Sequence, residues 1–501
     1  MATRNKRMAL VCARLAVCSV LVATINTVAF ARSSHRAQAG LDLDGITGSR
    51  IIHHVTDQGI VDVAVDVSSP SFGAWVGDSG GFTFYPGTGN PDGTFSIPGV
   101  TAESYYLKME STVYGSIYVV SSQPTIDLGE YAQGRPDAPA AGAGTVLRVS
   151  LRNMSPWNRA ADDVQLVSSN AGVRISGIAY SDIEHHFPEP GDTTLDIQMD
   201  YEAENLIDAS RGDQATIFQL VTRPGPAGTF YGSLSKAFTT SDLTIVDQES
   251  TLLFASLTDV PTDLVWTRTI DYPSLHAFRS AVHPAATLGG DTLFIDVLPA
   301  GSGYGPFGLG NLVAMAYSIV SSPETFSFSY GNPFPWTQTF SGVYSLFAVR
   351  YQLPGTSSGT TIYSAMQAAD DSDNFPEPFN ARISPPRNFQ INGQPAAEDL
   401  SNVSLTPSLT WDAPGLGTAN CYMVWVRELF VDGSSTRSRL LALMSTTHNE
   451  LVVPPGILQP GGSYIFRVAA NDSPGVNIEA APFLFAFPIS IAPTISGIAT
   501  P

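Results

Sequence analysis

Four carboxylates lie close together near the end of the central part of the chain, at Asp370, Asp371, Asp373 and Glu377. Carboxylate oxygens are the ligands that Ca²⁺ prefers in proteins. The segment lacks the glycine and the spacing of a calcium-binding loop, so a solvated acidic linker is the simpler interpretation. A structural Ca²⁺ site between domains is the alternative, and no other cofactor is expected.

Aromatic side chains that could stack on sugar rings are concentrated between Thr325 and Phe347. Tyr330, Phe334 and Trp336 surround glycine and proline residues there, and such rings could form an exposed platform for a polysaccharide. They could equally fill the end of a sandwich, because tyrosine and tryptophan bury readily when their polar groups find partners. Trp425 is a further candidate for ligand contact.

A catalytic serine is suggested by Gly77-Asp78-Ser79-Gly80-Gly81, which resembles the segment around the nucleophile of chymotrypsin-like proteases. Those enzymes need a histidine and an aspartate far upstream, spread over two barrels. Here His53 and His54 precede Ser79 by too few residues for that scaffold. A glycine-rich hairpin loop explains the motif more simply.

Two further motifs have equally simple explanations. His185 and His186 could bind a metal, but adjacent residues on a strand point to opposite faces, so a polar turn is favoured. Arg211-Gly212-Asp213 is a tripeptide that some adhesion ligands display, and a match of three residues often arises by chance.

Composition indicates a folded multi-domain protein of low charge. The chain has 501 residues, of which 43% are hydrophobic and only 14% charged, with 44 Gly and 36 Pro. Its length suggests about three domains, and abundant turn formers suit β structure. The net charge of −20 would repel phosphate backbones, so nucleic-acid binding is disfavoured.

Residues 1–31 are expected to be a cleaved signal peptide, with a basic start, an apolar run and Ala29-Phe30-Ala31 at the cleavage site. A lipoprotein anchor at Cys18 is disfavoured because the preceding residue is Val17. The mature chain keeps only Cys421 and cannot form an internal disulfide. A secreted or cell-surface location follows, in bacteria because arginine strongly outnumbers lysine, and no membrane span is expected after cleavage.

The clearest fold signal lies between Leu409 and Ala470, where three apolar runs alternate with the period of a strand. In Cys421 to Glu428 alternate residues from Tyr422 should face a core, which leaves Trp425 outward, where packing against the preceding domain is favoured over ligand contact. Trp411 and the Leu458, Pro460, Gly461, Tyr464 pattern resemble the core tryptophan and tyrosine corner of fibronectin type III domains. The resemblance implies a β-sandwich over residues 379–501.

The first mature segment, residues 32–140, contains alternating valines from Val61 to Val67 and a turn at Asp92-Gly93 followed by Phe95 and Ile97. Together with Ile46, Gly48, Asp57, Gly59, Gly99, Tyr106 and Leu107, this order of residues resembles a carboxypeptidase regulatory-like domain. The resemblance implies a small prealbumin-type sandwich that supplies no catalytic residues.

Residues 141–378 resemble no family, but short apolar runs separated by turn residues predict two further antiparallel sandwiches with a junction near residues 241–249. One helix is expected from Pro273 to His283. The predicted fold class is therefore all-β, a string of antiparallel β-sandwich domains behind a signal peptide.

Three functions remain open. The favoured one is an exported, non-catalytic protein for surface adhesion, display or extracellular structure, because no nucleophile, base and orienting group form a coherent set. The second is carbohydrate or polymer binding through residues 330–336, with polysaccharide or other surface proteins as partners. The third is a secreted hydrolase with its active site in the central region.

Overall fold

The computed structural model describes residues 45–501 except 69–71, 79–80, 112–114, 185, 203, 300–307, 335–336 and 485. The expected signal peptide lies outside the described residues. Strand makes up 54% of the structure and helix 4%. The all-β prediction is therefore confirmed, and the strands form four units, defined below.

The first unit, residues 45–133, is made of short strands because alternating apolar residues are interrupted by frequent glycine turns. Two of its sheets have the orders β10-β1-β7-β6 and β11-β2-β3, and the third joins β5, β4, β8 and β9. Its strands are β1 Gly45–Ser49, β2 Ile51–Thr56, β3 Gly59–Ala64, β4 Gly73–Asp78, β5 Gly81–Pro86, β6 Thr88–Gly89, β7 Thr94–Pro98, β8 Tyr105–Ser111, β9 Gly115–Ser121, β10 Thr125–Asp127 and β11 Glu130–Gln133.

The second unit, residues 141–259, packs the sheet β15-β12-β18 against β14, β13, β16, β17 and β19. Because β18 pairs with β12 in this unit, the junction expected near residues 241–249 lies later, after β19. Its elements are β12 Val146–Arg152, β13 Asp163–Ser168, β14 Val173–Ile175, β15 Leu195–Asp200, β16 Ala215–Pro224, β17 Phe230–Thr240, β18 Ser250–Ser256 and β19 Thr258–Asp259, with 3-10 turns at Ile178–Tyr180, Ala209–Arg211 and Pro226–Gly228.

The third unit, residues 264–379, pairs β20 with β23 and aligns β22, β21, β24 and β25. The helix predicted from Pro273 to His283 is divided into α1 and α2 by Ala277 and Phe278, and Asp271 caps α1 by accepting from the Ser274 amide at 3.2 Å. Its elements are β20 Leu264–Ile270, α1 Tyr272–His276, α2 Arg279–Val282, β21 Thr287–Pro299, β22 Asn311–Met315, β23 Glu324–Tyr330, β24 Thr337–Tyr351 and β25 Thr360–Asp371.

The fourth unit, residues 381–501, is a two-sheet sandwich. The sheet β27-β26-β29-β32 faces the sheet formed by β31, β30, β33 and β34, and Trp411, Tyr422 and Phe466 lie in the core between them. Its strands are β26 Arg387–Ile391, β27 Gln394–Pro395, β28 Leu400–Ser401, β29 Ser408–Asp412, β30 Cys421–Asp432, β31 Ser435–Thr446, β32 Glu450–Val452, β33 Ser463–Asp472, β34 Ile489–Ile495 and β35 Ala499–Thr500.

The four units are joined edge to edge by hydrogen-bonded strands. β17 of the second unit pairs with β22 of the third, β25 of the third pairs with β34 of the fourth, and β31 of the fourth pairs in parallel with β9 of the first. The units therefore share one continuous set of sheets. The first and last units in sequence are neighbours in space.

Candidate functional site

The two faces of β30 belong to different cores. Tyr422, Val424 and Val426 are buried inside the fourth unit, as the alternation of the sequence predicts. The intervening residues Met423 and Trp425 belong to the core of the first unit. Strand β30 therefore serves as a wall between two hydrophobic cores, because period-two alternation supplies one apolar face to each.

Trp425 points away from its own sandwich, as the sequence predicts, and it is only 8% exposed. The cover is the first unit and not the preceding domain expected from the sequence: β9 pairs with β31 from Ala442↔Ser116 to Ser445↔Val119, and Ile117 packs in the same core as Trp425. Burial of a large ring at a domain junction contributes about 1.5–3 kcal/mol. Trp425 is thus part of an interface between units and does not contact solvent as a ligand platform would.

Glu479, in the loop before β34, holds the same junction by hydrogen bonds. Its Oε2 accepts from the amide and hydroxyl of Ser122 at 3.0 and 2.7 Å, and its Oε1 accepts from Thr447 at 2.7 Å. Burial raises the pKa of Glu479, but these hydrogen bonds outweigh it, so the net shift is downward. The carboxylate therefore remains charged while it bridges the first and fourth units.

The turn before β33 contains the expected tyrosine corner. The Tyr464 hydroxyl accepts a hydrogen bond from the Gln459 amide at 2.8 Å, and its ring is buried. Trp411 is buried on β29 and contacts Tyr422 with ring centroids 5.2 Å apart. These contacts are those that the sequence pattern predicts for a tyrosine at this position.

The aromatic stretch of the third unit does not form an exposed platform in the described residues. Tyr330 and Phe334 are 6% and 4% exposed and lie in the large core, where Phe334 meets Phe218 with centroids 6.0 Å apart. Trp336 lies outside the described residues. The rings are buried because β23 alternates, which places Phe326, Phe328 and Tyr330 on one inward face.

The four carboxylates proposed for Ca²⁺ do not converge. Asp370 lies 3.8 Å from Arg382, and Asp371 accepts from the amide of Asp373. Glu377 accepts from the amide of Thr269 at 2.7 Å, on another strand. In the part of the chain that the structure describes, no three acidic, histidine or cysteine side chains form a metal cluster, and calcium binding stays an untested prediction.

The third unit contains a buried serine, aspartate and histidine, but their order does not suit nucleophilic catalysis. Asp291 Oδ1 lies 2.7 Å from His276 Nε2 and accepts from Ser345 Oγ at 2.7 Å, while Oδ2 accepts from the Val320 amide at 2.8 Å. Activation of a serine requires histidine between serine and aspartate. Here the aspartate is central, so the cluster satisfies a buried carboxylate.

The short motifs of the sequence take structural places or lie outside the description. Ser79, Gly80 and His185 are not among the described residues. In the Arg211-Gly212-Asp213 tripeptide, Asp213 is buried and pairs with Arg135 at 3.0 Å, and Arg211 pairs with Asp137. The tripeptide is therefore not displayed as an adhesion ligand would be.

A cleft that the sequence did not indicate opens beside β26 and β29, with a volume of about 320 Å³. It forms where the pairing of these strands shifts register between Arg387 and Gln390. Polar groups of Gln390, Thr410 and Asp412 line it, and Asn388 donates to Asp412 at 2.5 Å. Nothing in the periodicity reveals such a cleft, because it depends on one irregular residue pair.

Two large apolar side chains on one face of β18 are exposed to solvent. Leu252 is 54% exposed and Phe254 58%, on the same face, and the Arg152 guanidinium lies 5.9 Å from the Phe254 ring. Among the described strands β18 pairs only with β12. Its other edge therefore offers backbone hydrogen-bonding groups beside two apolar side chains, the arrangement that accepts an added strand.

Comparison with known proteins finds only distant structural likeness. No family model and no curated protein matches the chain. Solved structures with some likeness include domains FN1–FN3 of chicken CNTN1 (8% identity, 73% of this chain and 98% of that chain, TM-score 0.12), titin domains A168–A170 (11%, 95% and 98%, 0.14) and a streptococcal ancillary pilin (11%, 67% and 98%, 0.13). These TM-scores are low, so the class rests on the strands themselves: a multi-domain β-sandwich protein.

Within the described segments, no helix is long and apolar enough to cross a membrane.

Proposed function

We propose that this chain is an exported, non-catalytic β protein that acts in surface adhesion, display or extracellular structure. The observation that carries the proposal is the joining of four units by strand pairing at three junctions. Strand pairing across junctions fixes the orientation of neighbouring domains, whereas separate domains on linkers move independently. A rigid assembly of accessory folds suits a scaffold that holds a contact surface at a fixed place.

The first and fourth units would each belong to a known kind of accessory module. The fourth unit would be a fibronectin type III-like module, supported by the tyrosine corner at Tyr464 and the buried Trp411. The first would be a carboxypeptidase regulatory-like accessory module. Neither kind of module carries catalytic residues. Export would depend on residues 1–31 acting as a signal peptide.

The surface proposed for adhesion is the exposed face and free edge of β18, and its partner is an extended segment of another surface protein. An apolar strand edge binds such a segment through main-chain hydrogen bonds, and Leu252 and Phe254 would supply the side-chain contacts. Monomeric proteins usually protect edges of this kind with charge or a covering loop. Here the exposed residues of β18 are Ser250, Leu252, Phe254 and Ser256, none of which is charged.

Adhesion can be measured with beads that carry the mature protein, allowed to settle on cells of the producing bacterium. We expect the Leu252→Lys, Phe254→Lys double variant to lose at least tenfold in bead retention, because two charges oppose strand addition. Val431→Lys, an exposed apolar position on β30, is the matched control and should retain wild-type adhesion. Equal retention by the double variant and wild type would remove β18 as the contact surface.

A second candidate function, carbohydrate binding, is favoured by the cleft beside β26 and β29. Its amide, hydroxyl and carboxylate groups are those that hydrogen-bond sugar hydroxyls, and a volume of about 320 Å³ lies at the small end of ligand pockets. A glycan array probed with wild type and with Gln390→Ala tests it. A signal that survives this change, or no signal from wild type, would exclude the cleft; Asp432→Ala on the far sheet is the control.

A further inference from the structure

Two arginines without acidic partners lie side by side at the junction of the units. Arg467 on β33 stands directly opposite Trp425 on β30, and Arg427 follows two residues later on the same face of β30. Diagonal neighbours of this kind on adjacent strands are within reach of each other's long side chains. Both are partly buried, and neither forms a salt bridge with a described carboxylate.

The side chains of Arg427 and Arg467 lie between two hydrophobic cores. One row of the sheet further along, Met423 and Ala469 belong to the core of the first unit. In the opposite direction Ile465, which pairs with Arg427, belongs to the large core, to which the second, third and fourth units all contribute. The two arginines thus lie where this face of the sheet passes from one hydrophobic core to the other.

One face of the Arg467 guanidinium packs on an aromatic ring. Its Cζ lies 3.6 Å from the centroid of the Trp425 ring, so the indole contacts the face of the guanidinium. A cation–π contact uses that face, while the N–H donors point outward in the guanidinium plane. The buried Nε of Arg467 has no hydrogen-bond partner. A buried donor left unpaired destabilises the folded state, because it has lost water and gained no partner.

The charge of the pair is poorly compensated. Burial, followed by repulsion from Arg427, lowers the pKa of Arg467 to about 9, and burial lowers that of Arg427. The contrast with Arg439 is direct, because that arginine, on the adjacent strand β31, pairs with Glu428 at 2.6 Å. In a chain with 45 acidic and 25 basic residues, two adjacent arginines without a carboxylate partner are conspicuous.

We propose that Arg427 and Arg467 form a binding site for a small oxyanion, a phosphate, sulfate or carboxylate group, at the seam between the units. Planar guanidinium groups match the oxygen pairs of such anions through two parallel hydrogen bonds. An anion here neutralises both cations and satisfies Nε of Arg467, and it stabilises the contact between the first and fourth units. The site is independent of adhesion through β18.

The test measures the thermal unfolding of the mature full-length protein while inorganic phosphate, sulfate or acetate replaces chloride at constant ionic strength. We expect Tm to rise steadily with the logarithm of the phosphate or sulfate concentration once that concentration exceeds the dissociation constant, because a ligand that binds only the folded state stabilises it in this way. Constant ionic strength removes general screening from the comparison. A Tm that is the same in phosphate and chloride would overturn the proposal.

Variants locate the site. Arg427→Gln and Arg467→Gln should each raise at least tenfold the phosphate concentration that gives a fixed rise in Tm. Arg439→Gln, which breaks an existing pair on the same sheet, should leave that concentration unchanged. Arg467→Lys keeps the charge but loses the planar donors, so it should fold and bind phosphate at least threefold more weakly. An equal phosphate response in Arg427→Gln and wild type would also overturn the proposal.

The source of the oxyanion is distinguished by a final comparison. If the site binds a free anion, phosphate or sulfate should raise Tm at a lower concentration than oligoglutamate does, with oligoglutamate counted per carboxylate. If the site binds an acidic segment of another chain, oligoglutamate, counted in the same way, should raise Tm at a concentration at least tenfold lower than acetate does. If Arg427→Gln does not reduce the rise in Tm with either the free anions or oligoglutamate, the anion binds elsewhere, and the assignment of the site to Arg427 and Arg467 is contradicted.

Discussion

At the scale of single residues, Tyr464 and Trp425 show what a strand pattern specifies. Alternation in the sequence correctly assigns Tyr464 to the core of its own unit and Trp425 to the opposite face. It cannot name the surface that covers Trp425, because β9 is more than 300 residues away in the chain. The burial of Tyr330 on β23 follows from the same alternation, whereas Phe334 lies beyond the end of that strand and is buried by its packing against Phe218.

Tyr464→Phe tests the tyrosine corner. The change removes the hydroxyl that accepts from the Gln459 amide at 2.8 Å, and we expect the free energy of unfolding to fall by about 1–3 kcal/mol because that amide then loses its partner. Urea denaturation followed by tryptophan fluorescence measures it. Tyr85→Phe is the control, because the Tyr85 hydroxyl makes no hydrogen bond with a described residue. Equal losses of unfolding free energy in the two variants would contradict a stabilising role for the tyrosine corner.

Asp163 gives the second unit a pH-dependent stability. Burial raises its pKa to about 6, although Gln165 and the Gly177 amide hydrogen-bond to it. Because the pKa is higher in the folded state than the ordinary 3.8, this group favours folding at low pH, and the contribution is lost as the pH rises through about 6.

We expect Asp163→Asn to flatten the dependence of the unfolding free energy on pH between about 4 and 6. Over this range, the changes in unfolding free energy of the variant and of wild type should differ by at most about 3 kcal/mol. Urea denaturation at a series of pH values, with the difference from wild type plotted, isolates this residue from other buried carboxyls. Asp242→Asn, an exposed aspartate of the same unit, should leave the profile unchanged. A difference from wild type that is constant over this range would show that Asp163 does not titrate there.

At the scale of elements, Gly115 controls how β9 meets β31. It has a φ of +69°, and a Cβ at this position would lie 2.4 Å from the Leu441 carbonyl oxygen. Leu441 lies where the pairing of β30 with β31 shifts register. The junction strand thus depends on a residue without a side chain at its first position, a requirement that no pattern of apolar residues expresses.

Gly115→Ala should therefore weaken the junction. We expect a loss of about 2–4 kcal/mol, from the left-handed backbone and the contact with backbone atoms that cannot move easily. Gly433→Ala is a matched control, because Gly433 also has a positive φ of 59° but open space around it. Hydrogen exchange of the β9 and β31 amides should rise in Gly115→Ala alone, and equal exchange in both variants would show that backbone strain explains the whole effect.

The element boundaries show where sequence reasoning ends. Strand runs such as Cys421–Asp432 are evident because alternation extends over many residues. The break at Ala277 and Phe278 between the two short helices is not evident from the sequence, because both residue types are compatible with a helix. The cleft at Asn388 likewise depends on a backbone irregularity, since Asn388 has a φ of +50°.

At the scale of the whole molecule, the prediction of antiparallel sandwiches is confirmed and the way they join is the new finding. A sequence predicts strands well and their partners poorly, because edge pairing between distant units leaves no local signal. The sharing of β30 between two cores also means that the fourth unit is incomplete by itself. Met423, Trp425 and Leu443 would be uncovered without the first unit.

Residues 379–501 expressed alone should consequently associate and bind the dye ANS, whereas the mature chain should be monomeric and bind little. Exposed apolar patches of this size are sites of aggregation. Met423→Lys with Trp425→Lys in the fragment should restore a monomer, as measured by size-exclusion chromatography with light scattering. A wild-type fragment that is monomeric and does not bind ANS would contradict the shared core.

The hydrogen bond from the Val452 amide to Tyr106 spans 346 residues, and that from Ser121 to the Glu479 carbonyl spans 358. Contacts with so great a separation slow folding, because the intervening chain must be ordered before they form. The first unit leaves the ribosome first but completes its core last, after nearly the whole sequence is available. Such a chain exposes apolar surface for longer during synthesis, so protection from aggregation before the last unit emerges is a requirement for folding.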